Sequence, residues 1–363
     1  MSQSTQDIEW MTHALRLAAR GLYTTTPNPR VGCVIVNDGQ LVGEGAHLKA
    51  GEPHAEVHAL RAAGVQARGA TAYVTLEPCS HFGRTPPCAD ALVEAGVSRV
   101  VVAMQDPNPL VSGNGIARLR AQGITVVVGI GEAQARLLNP GFIQRMTAQR
   151  PYVRLKVAAS LDGRTALANG TSQWITSGDA RKDVHHWRAQ SCAIVTGIGS
   201  ILKDDSSLTV REVATTRQPL RVIVDSQLRI PLNARVLQDG HALIAYAHAD
   251  VDKLEALQAM GVRTLHAPDV RGQVDLSLLM KNLVTVPCNE ILVEAGATLN
   301  GAFLQSGFVD ELLLYYAPKL MGHTARGMFA LPDMTQMADV RELRVLEVRQ
   351  FGQDLRLQAK LQP

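Results

Sequence analysis

Residues 71–88 read TAYVTLEPCSHFGRTPPC, and this stretch decides the fold of the first half of the chain. Residues 71–76 are mostly apolar or β-branched, which predicts a buried strand. Pro78 and Cys79 follow where that strand ends. Cys88 comes after eight further residues, at the start of a segment with helical periodicity. We therefore expect a strand and a helix joined by a loop that has a cysteine at each end.

The residues on either side of this stretch alternate between strand-like and helix-like patterns. The turn pair Asp38-Gly39 joins two short strands into a hairpin. The predicted helices cover 7–20, 54–63 and 88–95, and the predicted strands cover 31–36, 41–45, 71–76 and 99–104. Such alternation predicts an α/β domain with a mainly parallel sheet that is covered by helices.

A short joint at residues 147–151, which ends in Pro151, precedes a second alternation of strands and helices. The predicted strands of this half cover 152–158, 192–196, 220–224, 241–245, 291–294 and 354–361. Polar and apolar residues alternate along the last of these strands, which is typical of a strand with one face in water. A chain of 363 residues exceeds the usual size of one core, so we expect two domains, residues 1–148 and 149–363.

Composition excludes several classes of protein. The chain is 46% hydrophobic and 19% charged with a net charge of +3, which fits neither a disordered chain nor a polyanion-binding basic module. No apolar run approaches the roughly 18 residues of a membrane span, and acidic residues near the N-terminus argue against a secretory signal. Five sparse cysteines do not make a disulfide framework. We expect a soluble, cytoplasmic protein.

The segment His54-Ala55-Glu56 at the start of a predicted helix completes a metal-binding pattern with the two cysteines of the opening stretch. His54, Cys79 and Cys88 are three typical zinc ligands, and three protein ligands leave a tetrahedral zinc one position for water. Glu56 is two residues from the histidine and can carry protons without binding the metal. The pattern predicts a zinc site for hydrolytic deamination.

Two simpler interpretations compete with this one. An isolated His-x-Glu usually marks a solvated helix face, and a lone cysteine is usually a small buried hydrophobe. A non-catalytic zinc scaffold would need a fourth protein ligand, for which His81 is a candidate, but we interpret His81 as a loop residue. We interpret His58 as a hydrogen-bonded or solvent-facing residue of the helix, and His185 and His186 as surface positions.

The first half of the chain resembles the zinc-dependent cytidine-deaminase-like superfamily. The long loop between Cys79 and Cys88 departs from the common nucleobase branch and is similar to the pyrimidine deaminase of riboflavin biosynthesis. Three further stretches, residues 27–32, 51–56 and 105–109, are similar to motifs that surround the substrate in that family. The resemblance implies a three-layer α/β/α deaminase domain with one zinc ion.

Residues 294–302 read EAGATLNGA, a strand end that passes through small residues into a helix. Such a turn can present backbone N–H groups to a phosphate, but it can equally be a tight packing turn. Neither GIG at 197–199 nor GIG at 129–131 completes the glycine pattern of a dinucleotide-binding Rossmann fold. Spacing alone therefore leaves the role of residues 294–302 open.

Five other stretches show which family the second half resembles: residues 156–164, 172–176, 204–205, 208–211 and 224–226 are similar to the reductase of the riboflavin pathway. This resemblance implies a dihydrofolate-reductase-like α/β domain. Together the two halves resemble the bifunctional deaminase and reductase family of riboflavin biosynthesis from end to end.

The resemblance also implies site residues for the second half. Its NADPH contacts fall on Ala158, Trp174, Ser200, Asp204, Ser226, Gly296, Ala297, Thr298, Leu299, Asn300, Gly301 and Ala302. Its substrate contacts fall on Ser172, Arg188, Leu208, Arg211 and Glu294. Arginine is suited to a ribose phosphate, and a carboxylate can accept hydrogen bonds from sugar hydroxyls.

The implied reactions are deamination of 2,5-diamino-6-(5-phosphoribosylamino)pyrimidin-4(3H)-one and NADPH-dependent reduction of the ribosyl chain of the product. The implied partners are these small molecules, with no nucleic acid or membrane partner, and a homo-oligomer stays open. The rival hypothesis is a deaminase that edits nucleic acid. That protein would need a basic, aromatic-rich binding face, whereas aromatic residues make up 4% of this chain.

Overall fold

A computed structural model describes residues 3–81 and 86–362, and the chain divides into two compact units, Met1–Gln149 and Arg150–Pro363. The helices of the first unit are α1 (Gln3–Ala19), α2 (Ala55–Ala63), α3 (Cys88–Glu94), α4 (Asn114–Ala121), α5 (Glu132–Leu138) and α6 (Pro140–Ala148). Its strands are β1 (Gly32–Asn37), β2 (Gln40–Ala46), β3 (Thr71–Val74), β4 (Arg99–Val102) and β5 (Thr125–Val128).

The five strands of the first unit form one sheet in the order β2-β1-β3-β4-β5. The strands β3, β4 and β5 run parallel, as expected of strands joined by helices. The hairpin is antiparallel, and β1 is also antiparallel to β3. The strands that helices connect are therefore parallel, as predicted, and the predicted hairpin makes the sheet mixed because its strand β1 runs in the opposite direction.

The carboxyl ends of the parallel strands position the residues of interest in the first unit. The strand β3 is buried along most of its length because it lies between two neighbours and carries Ala72, Tyr73 and Val74. The chain leaves this strand towards Cys79, and α3 then begins at Cys88. These connections place both cysteines at one edge of the sheet.

The described residues of the second unit, 150–362, contain the helices α7 (Gly178–Gln190), α8 (Ile198–Asp204), α9 (Val251–Ala259), α10 (Leu276–Thr285) and α11 (Ala297–Gln305). Its strands are β6 (Tyr152–Ser160), β7 (Arg164–Ala166), β8 (Ala193–Gly197), β9 (Leu220–Val224), β10 (Ala242–Tyr246), β11 (Arg263–His266), β12 (Glu290–Val293), β13 (Val309–Ala317), β14 (Arg326–Gly327), β15 (Leu343–Phe351) and β16 (Asp354–Leu361).

Nine of these strands form one sheet in the order β11-β10-β9-β8-β12-β6-β13-β16-β15. The seven strands from β11 to β13 are parallel, and the strands β16 and β15 complete the sheet as an antiparallel pair. The central parallel strands are fully buried runs such as β12. This arrangement opens the carboxyl ends of β6, β8, β9 and β12 towards one side of the unit.

The strand β16 exists as predicted, but two of its polar residues face inward. Asp354 and Arg356 are buried, whereas Leu355 is exposed. Arg356 donates a hydrogen bond of 2.7 Å to Asp183 on α7, and the Asp354 carboxylate accepts one of 2.6 Å from the backbone N–H of Ser177. Alternation identifies a strand but not which of its faces is buried, and here the buried charges are paired.

None of the helices within residues 3–81 and 86–362 is both long enough and apolar enough to cross a membrane.

Candidate active sites

Three candidate metal ligands converge in the first unit. His54 immediately precedes α2, Cys79 follows β3, and Cys88 begins α3. The His54 Nδ1 atom lies 3.7 Å from the Cys79 Sγ atom and 3.3 Å from the Cys88 Sγ atom. One ligand atom of each residue lies within 4.8 Å of the other two. One imidazole and two thiols form a donor set that fits zinc, so the structure brings the three predicted ligands together.

The surroundings of Cys79 favour its thiolate, which is the form that binds metals. Hydrogen bonds from the Cys88 thiol and from His54 hold the pKa of Cys79 well below its usual range. The backbone N–H of Cys88, at the start of α3, also donates to the Cys79 sulfur at 3.3 Å. The loop between the two cysteines therefore ends in a geometry that stabilises negative charge on sulfur.

Glu56 lies in the first turn of α2 and is buried beside these ligands. Burial raises the pKa of its carboxyl to about 7, and the group interacts electrostatically with His54 and Cys79. Its Oε2 atom has no hydrogen-bond partner within the described residues. An unpaired buried oxygen is costly, so this atom is suited to a group that enters the site, such as a water molecule or a substrate nitrogen.

His47 belongs to the same site and is a residue that the sequence analysis missed. It is buried, its ring packs edge-on to His54 at 5.3 Å, and its Nδ1 atom donates to the Pro53 carbonyl at 3.1 Å. The Asn28 side-chain amide donates to the His47 Nε2 atom at 3.1 Å. Burial lowers the pKa of His47, which favours its neutral form. Through its two hydrogen bonds the ring connects Pro53, the residue before His54, to the stretch 27–32. The presence of Asn28 in a quoted motif was the available signal.

The second unit contains a cavity of about 2050 Å³ at the carboxyl ends of its parallel strands. Most of the residues predicted for the cofactor and the substrate line it: Ala158, Ser172, Trp174, Arg188, Ser200, Asp204, Leu208, Arg211, Ser226, Glu294, Gly296, Ala297, Thr298, Leu299 and Ala302. Trp174 is 65% exposed, so its ring is available to a ligand. One cavity therefore gathers residues from widely separated stretches of the chain.

Asn300 and Gly301 of the predicted cofactor loop do not line this cavity. Both are buried on α11, and the Asn300 amide donates to the carbonyls of Ala295 at 3.1 Å and Met328 at 3.2 Å. A Cβ atom on Gly301 would lie 2.1 Å from the Ala330 carbonyl oxygen. These two residues therefore stabilise the turn through buried contacts, whereas residues 296–299 line the cavity.

Glu294, at the end of β12, is the acidic centre of the cavity. Its carboxylate accepts hydrogen bonds from Arg188 at 2.6 and 3.1 Å, and the Lys156 Nζ atom lies 3.6 Å away. Burial by itself would raise the pKa of Glu294, but the charges of Arg188 and Lys156 outweigh it and hold the pKa at about 2. Lys156 lay in a quoted stretch, yet the sequence analysis gave it no role because its ion pair depends on the fold.

The interpretation of His185 as a surface residue was wrong. His185 is buried on the cavity side of α7, whereas His186, the next residue, is exposed as predicted. The His185 Nδ1 atom accepts a hydrogen bond of 3.3 Å from the backbone N–H of Arg211. Burial and the charges of Arg188 and Arg211 lower the pKa of His185 to about 4, so the ring is neutral and supports the Arg211 loop.

Two family models match the chain. The model described as "Cytidine and deoxycytidylate deaminase zinc-binding region" matches residues 4–104, and the model described as "RibD C-terminal domain" matches residues 151–357. Curated relatives match over nearly their full lengths. The chain is 52% identical over 363 residues to "Riboflavin biosynthesis protein RibD" of Escherichia coli (strain K12), with 96% of this chain and 98% of that protein covered.

Solved structures agree with these matches. Acinetobacter baumannii RibD, form 1, is 49% identical with a TM-score of 0.93, and the match covers 99% of this chain and 100% of that chain. A diaminohydroxyphosphoribosylaminopyrimidine deaminase/5-amino-6-(5-phosphoribosylamino)uracil reductase from Thermotoga maritima is 32% identical with a TM-score of 0.88 and the same coverage. The expected fold class is confirmed: a cytidine-deaminase-like α/β/α domain followed by a dihydrofolate-reductase-like α/β domain.

Proposed function

The chain belongs to the RibD family, the bifunctional deaminases and reductases of riboflavin biosynthesis, and from this membership we propose which of its residues perform each reaction. We assign deamination of the diaminopyrimidine to residues 1–148 and NADPH-dependent reduction of the ribosyl chain to residues 149–363. The division into compact units next to Gln149 supports this boundary.

For deamination, we propose that His54, Cys79 and Cys88 hold the zinc ion. Bound zinc supplies Lewis acidity, which makes water a nucleophile at neutral pH for attack on ring C2. Glu56 takes one proton from the attacking water and donates it to a ring nitrogen. It then takes the remaining proton from the hydroxyl added at C2 and passes it to the amino group, which leaves as ammonia. The observation that carries this assignment is the buried Oε2 atom of Glu56, which has no hydrogen-bond partner in the described part of the chain and lies beside the three ligands.

For reduction, we propose that NADPH and the substrate share the large cavity of the second unit. Bound NADPH supplies a hydride to C1 of the opened ribosyl chain. Ala158, Trp174, Ser200, Asp204, Ser226 and the residues of 296–302 that face the cavity orient the cofactor, while Asn300 and Gly301 shape the turn. Ser172, Arg188, Leu208, Arg211 and Glu294 orient the substrate.

Arg211 is the better candidate for the ribose phosphate. Among the described residues, the Arg211 guanidinium has one side-chain partner, the hydroxyl of Ser207 at 3.1 Å, whereas Arg188 is already paired with Glu294. An unneutralised guanidinium at a cavity wall is well suited to a phosphate dianion. Glu294, which keeps its charge, can accept hydrogen bonds from the hydroxyls of the opened sugar chain.

We propose that both reactions take place in the cytoplasm on small phosphoribosylaminopyrimidines, without nucleic acid or membrane partners. The balanced charge and the low aromatic content of the chain support this assignment. Neither reaction requires or excludes a homo-oligomer.

An assay of the order of the two reactions tests the proposal. With the 2,5-diaminopyrimidine phosphate as substrate, the zinc-loaded chain should release one ammonia per substrate without NADPH. NADPH added afterwards should be oxidised in equal amount. Removal of zinc should stop the first step and leave reduction of the deaminated uracil intact. Oxidation of NADPH before ammonia release would contradict the assignment, and ammonia release from RNA would favour the editing hypothesis.

A further inference from the structure

Glu77, between β3 and Pro78, is a carboxylate that is 5% exposed and holds a distant segment of the chain. Its Oε2 atom accepts hydrogen bonds from the backbone N–H groups of Asp106 at 3.1 Å and Gly113 at 2.9 Å. Its Oε1 atom accepts from Gly115 at 2.9 Å and Ile116 at 3.2 Å. All four donors lie in residues 105–116, which we call the anchored segment.

Backbone packing also brings the anchored segment close to Glu77 and Pro78, which follow β3 and precede the ligand Cys79. A Cβ atom on Gly115 would lie 2.0 Å from the Pro78 carbonyl oxygen, so glycine permits an approach that any side chain would block. The backbone N–H of Glu77 donates to the Met104 carbonyl at 3.0 Å. Glu77 and Pro78 therefore contact the anchored segment through side chain and backbone, directly before the ligand Cys79.

The anchored segment contains residues 105–109, one of the stretches that resemble substrate-surrounding motifs. Asp106 is partly buried, and its backbone N–H donates to the carboxylate of Glu77, which is two residues before the ligand Cys79. The Asp106 carboxylate accepts a hydrogen bond of 2.8 Å from the backbone N–H of Asn108. The contacts of Glu77 and Pro78 therefore attach this segment to the two residues that precede Cys79.

We propose that Glu77 is a positioning residue for deamination: its carboxylate holds the anchored segment so that Asp106 and Asn108 face the pyrimidine substrate beside Cys79. This inference rests on the deaminase function proposed for the first unit. A purely structural role for Glu77 would stabilise the domain without changing how tightly the folded enzyme binds its substrate. The two roles therefore differ in kinetics.

The test is Glu77→Gln in the full zinc-loaded chain, with Glu94→Gln as the matched control on the exposed surface. An amide has one acceptor oxygen, so it cannot accept from all four N–H groups. We expect hydrogen exchange of peptides from residues 105–116 to accelerate at least about tenfold. We also expect KM for deamination to rise about tenfold while kcat stays within about threefold, because a lost binding contact raises KM alone.

The variant should keep one zinc per chain and unchanged reductase activity. The inference is overturned if KM is unchanged while the anchored segment exchanges faster, or if activity falls only in proportion to zinc content. If Glu77→Gln yields no folded, zinc-loaded chain, Glu77→Asp decides by the same readouts, because it keeps the charge on a shorter side chain. Failure of the proposed function itself would appear as a parent chain that releases no ammonia, whereas the exchange result tests Glu77 in either case.

Discussion

The guanidinium of Arg188 on α7 donates to both carboxylate oxygens of Glu294 at the end of β12, and this pair lies in the wall of the reductase cavity. Both side chains are largely buried, and Lys156 adds a second positive charge to the same carboxylate. Removal of a carboxylate from between two buried cations leaves those charges without a partner, which is strongly destabilising.

Glu294→Gln should reduce the loss of stability that the second unit shows as the pH falls below 4.5. The folded-state pKa of Glu294 is about 2, below its ordinary value of 4.5, so the charged carboxylate stabilises the fold fully above pH 4.5. That contribution is lost as pH falls from 4.5 towards 2. The free energy of unfolding of the variant, measured with urea, should therefore decrease less over this range than that of the parent.

At neutral pH the same variant should be less stable by about 3 to 5 kcal/mol, because Arg188 and Lys156 stay buried without their counter-charge. Glu342→Gln, which changes an exposed carboxylate, serves as the control and should alter neither result. Equal acid sensitivity in the parent and in Glu294→Gln would show that the pair does not stabilise the fold.

Arg211→Ala should weaken binding of the phosphorylated substrate to the reductase. The Arg211 guanidinium is paired with no carboxylate in the described structure, and a charge-assisted contact to phosphate contributes about 1.5 to 3 kcal/mol. We expect KM for the aminouracil phosphate to rise tenfold or more in steady-state assays. The Kd of NADPH should change little. Arg263→Ala, on the exposed edge strand β11, is the control, and an unchanged KM in Arg211→Ala would assign the phosphate elsewhere.

Cys79→Ser and Cys88→Ser should each lower zinc occupancy, because a neutral hydroxyl is a poor substitute for a thiolate. The first unit should also lose stability, since zinc binding contributes to its folding. Metal analysis of the purified chain measures the effect. Cys33→Ala is the matched control, because Cys33 is buried outside the cluster and should leave one zinc per chain. Full occupancy in both serine variants would disprove the ligand assignment.

Glu56→Gln should keep zinc and the fold while deamination falls by a factor on the order of 100 or more, the scale for removing an acid-base group. Reduction of the deaminated substrate by the same protein should stay unchanged, which provides an internal control. Glu94→Gln changes an exposed carboxylate of the same unit and should leave both reactions unaffected. Ammonia release at the parent rate would show that Glu56 carries no proton.

Sequence patterns predicted the metal cluster because each of its three residues is next to an end of a predicted helix or strand. His54, Cys79 and Cys88 each lie at an end of a helix or strand, so predicting those elements correctly was enough to place the ligands together. The roles of Glu77 and His47 were not predictable in this way. Glu77 binds residues 29 to 39 positions away, and such partners follow from the packing of the whole unit.

The second unit shows the same limit. Alternation predicted most of its strands, including β16, but the buried charges of Asp354 and Arg356 depend on partners in α7 and directly before it, which no local pattern reveals. His185 was assigned to the surface because the sequence pattern around the adjacent residues His185 and His186 does not indicate which of them is buried. Its burial follows from the face that α7 turns towards the cavity.

The last prediction concerns separation of the two reactions. The helix α6 ends at Ala148, and Arg150 donates two hydrogen bonds of 2.7 Å to Asp310 of its own unit, so a cut between them should preserve both sets of contacts. Residues 1–148 should bind zinc and deaminate. Residues 149–363 should oxidise NADPH tenfold or more faster with the deaminated uracil than with the 2-amino substrate, because polar groups that match a uracil edge would be left unpaired by the amine. Initial rates with both substrates measure this ratio, and a folded 149–363 fragment that neither binds NADPH nor reduces the uracil would disprove the reductase assignment.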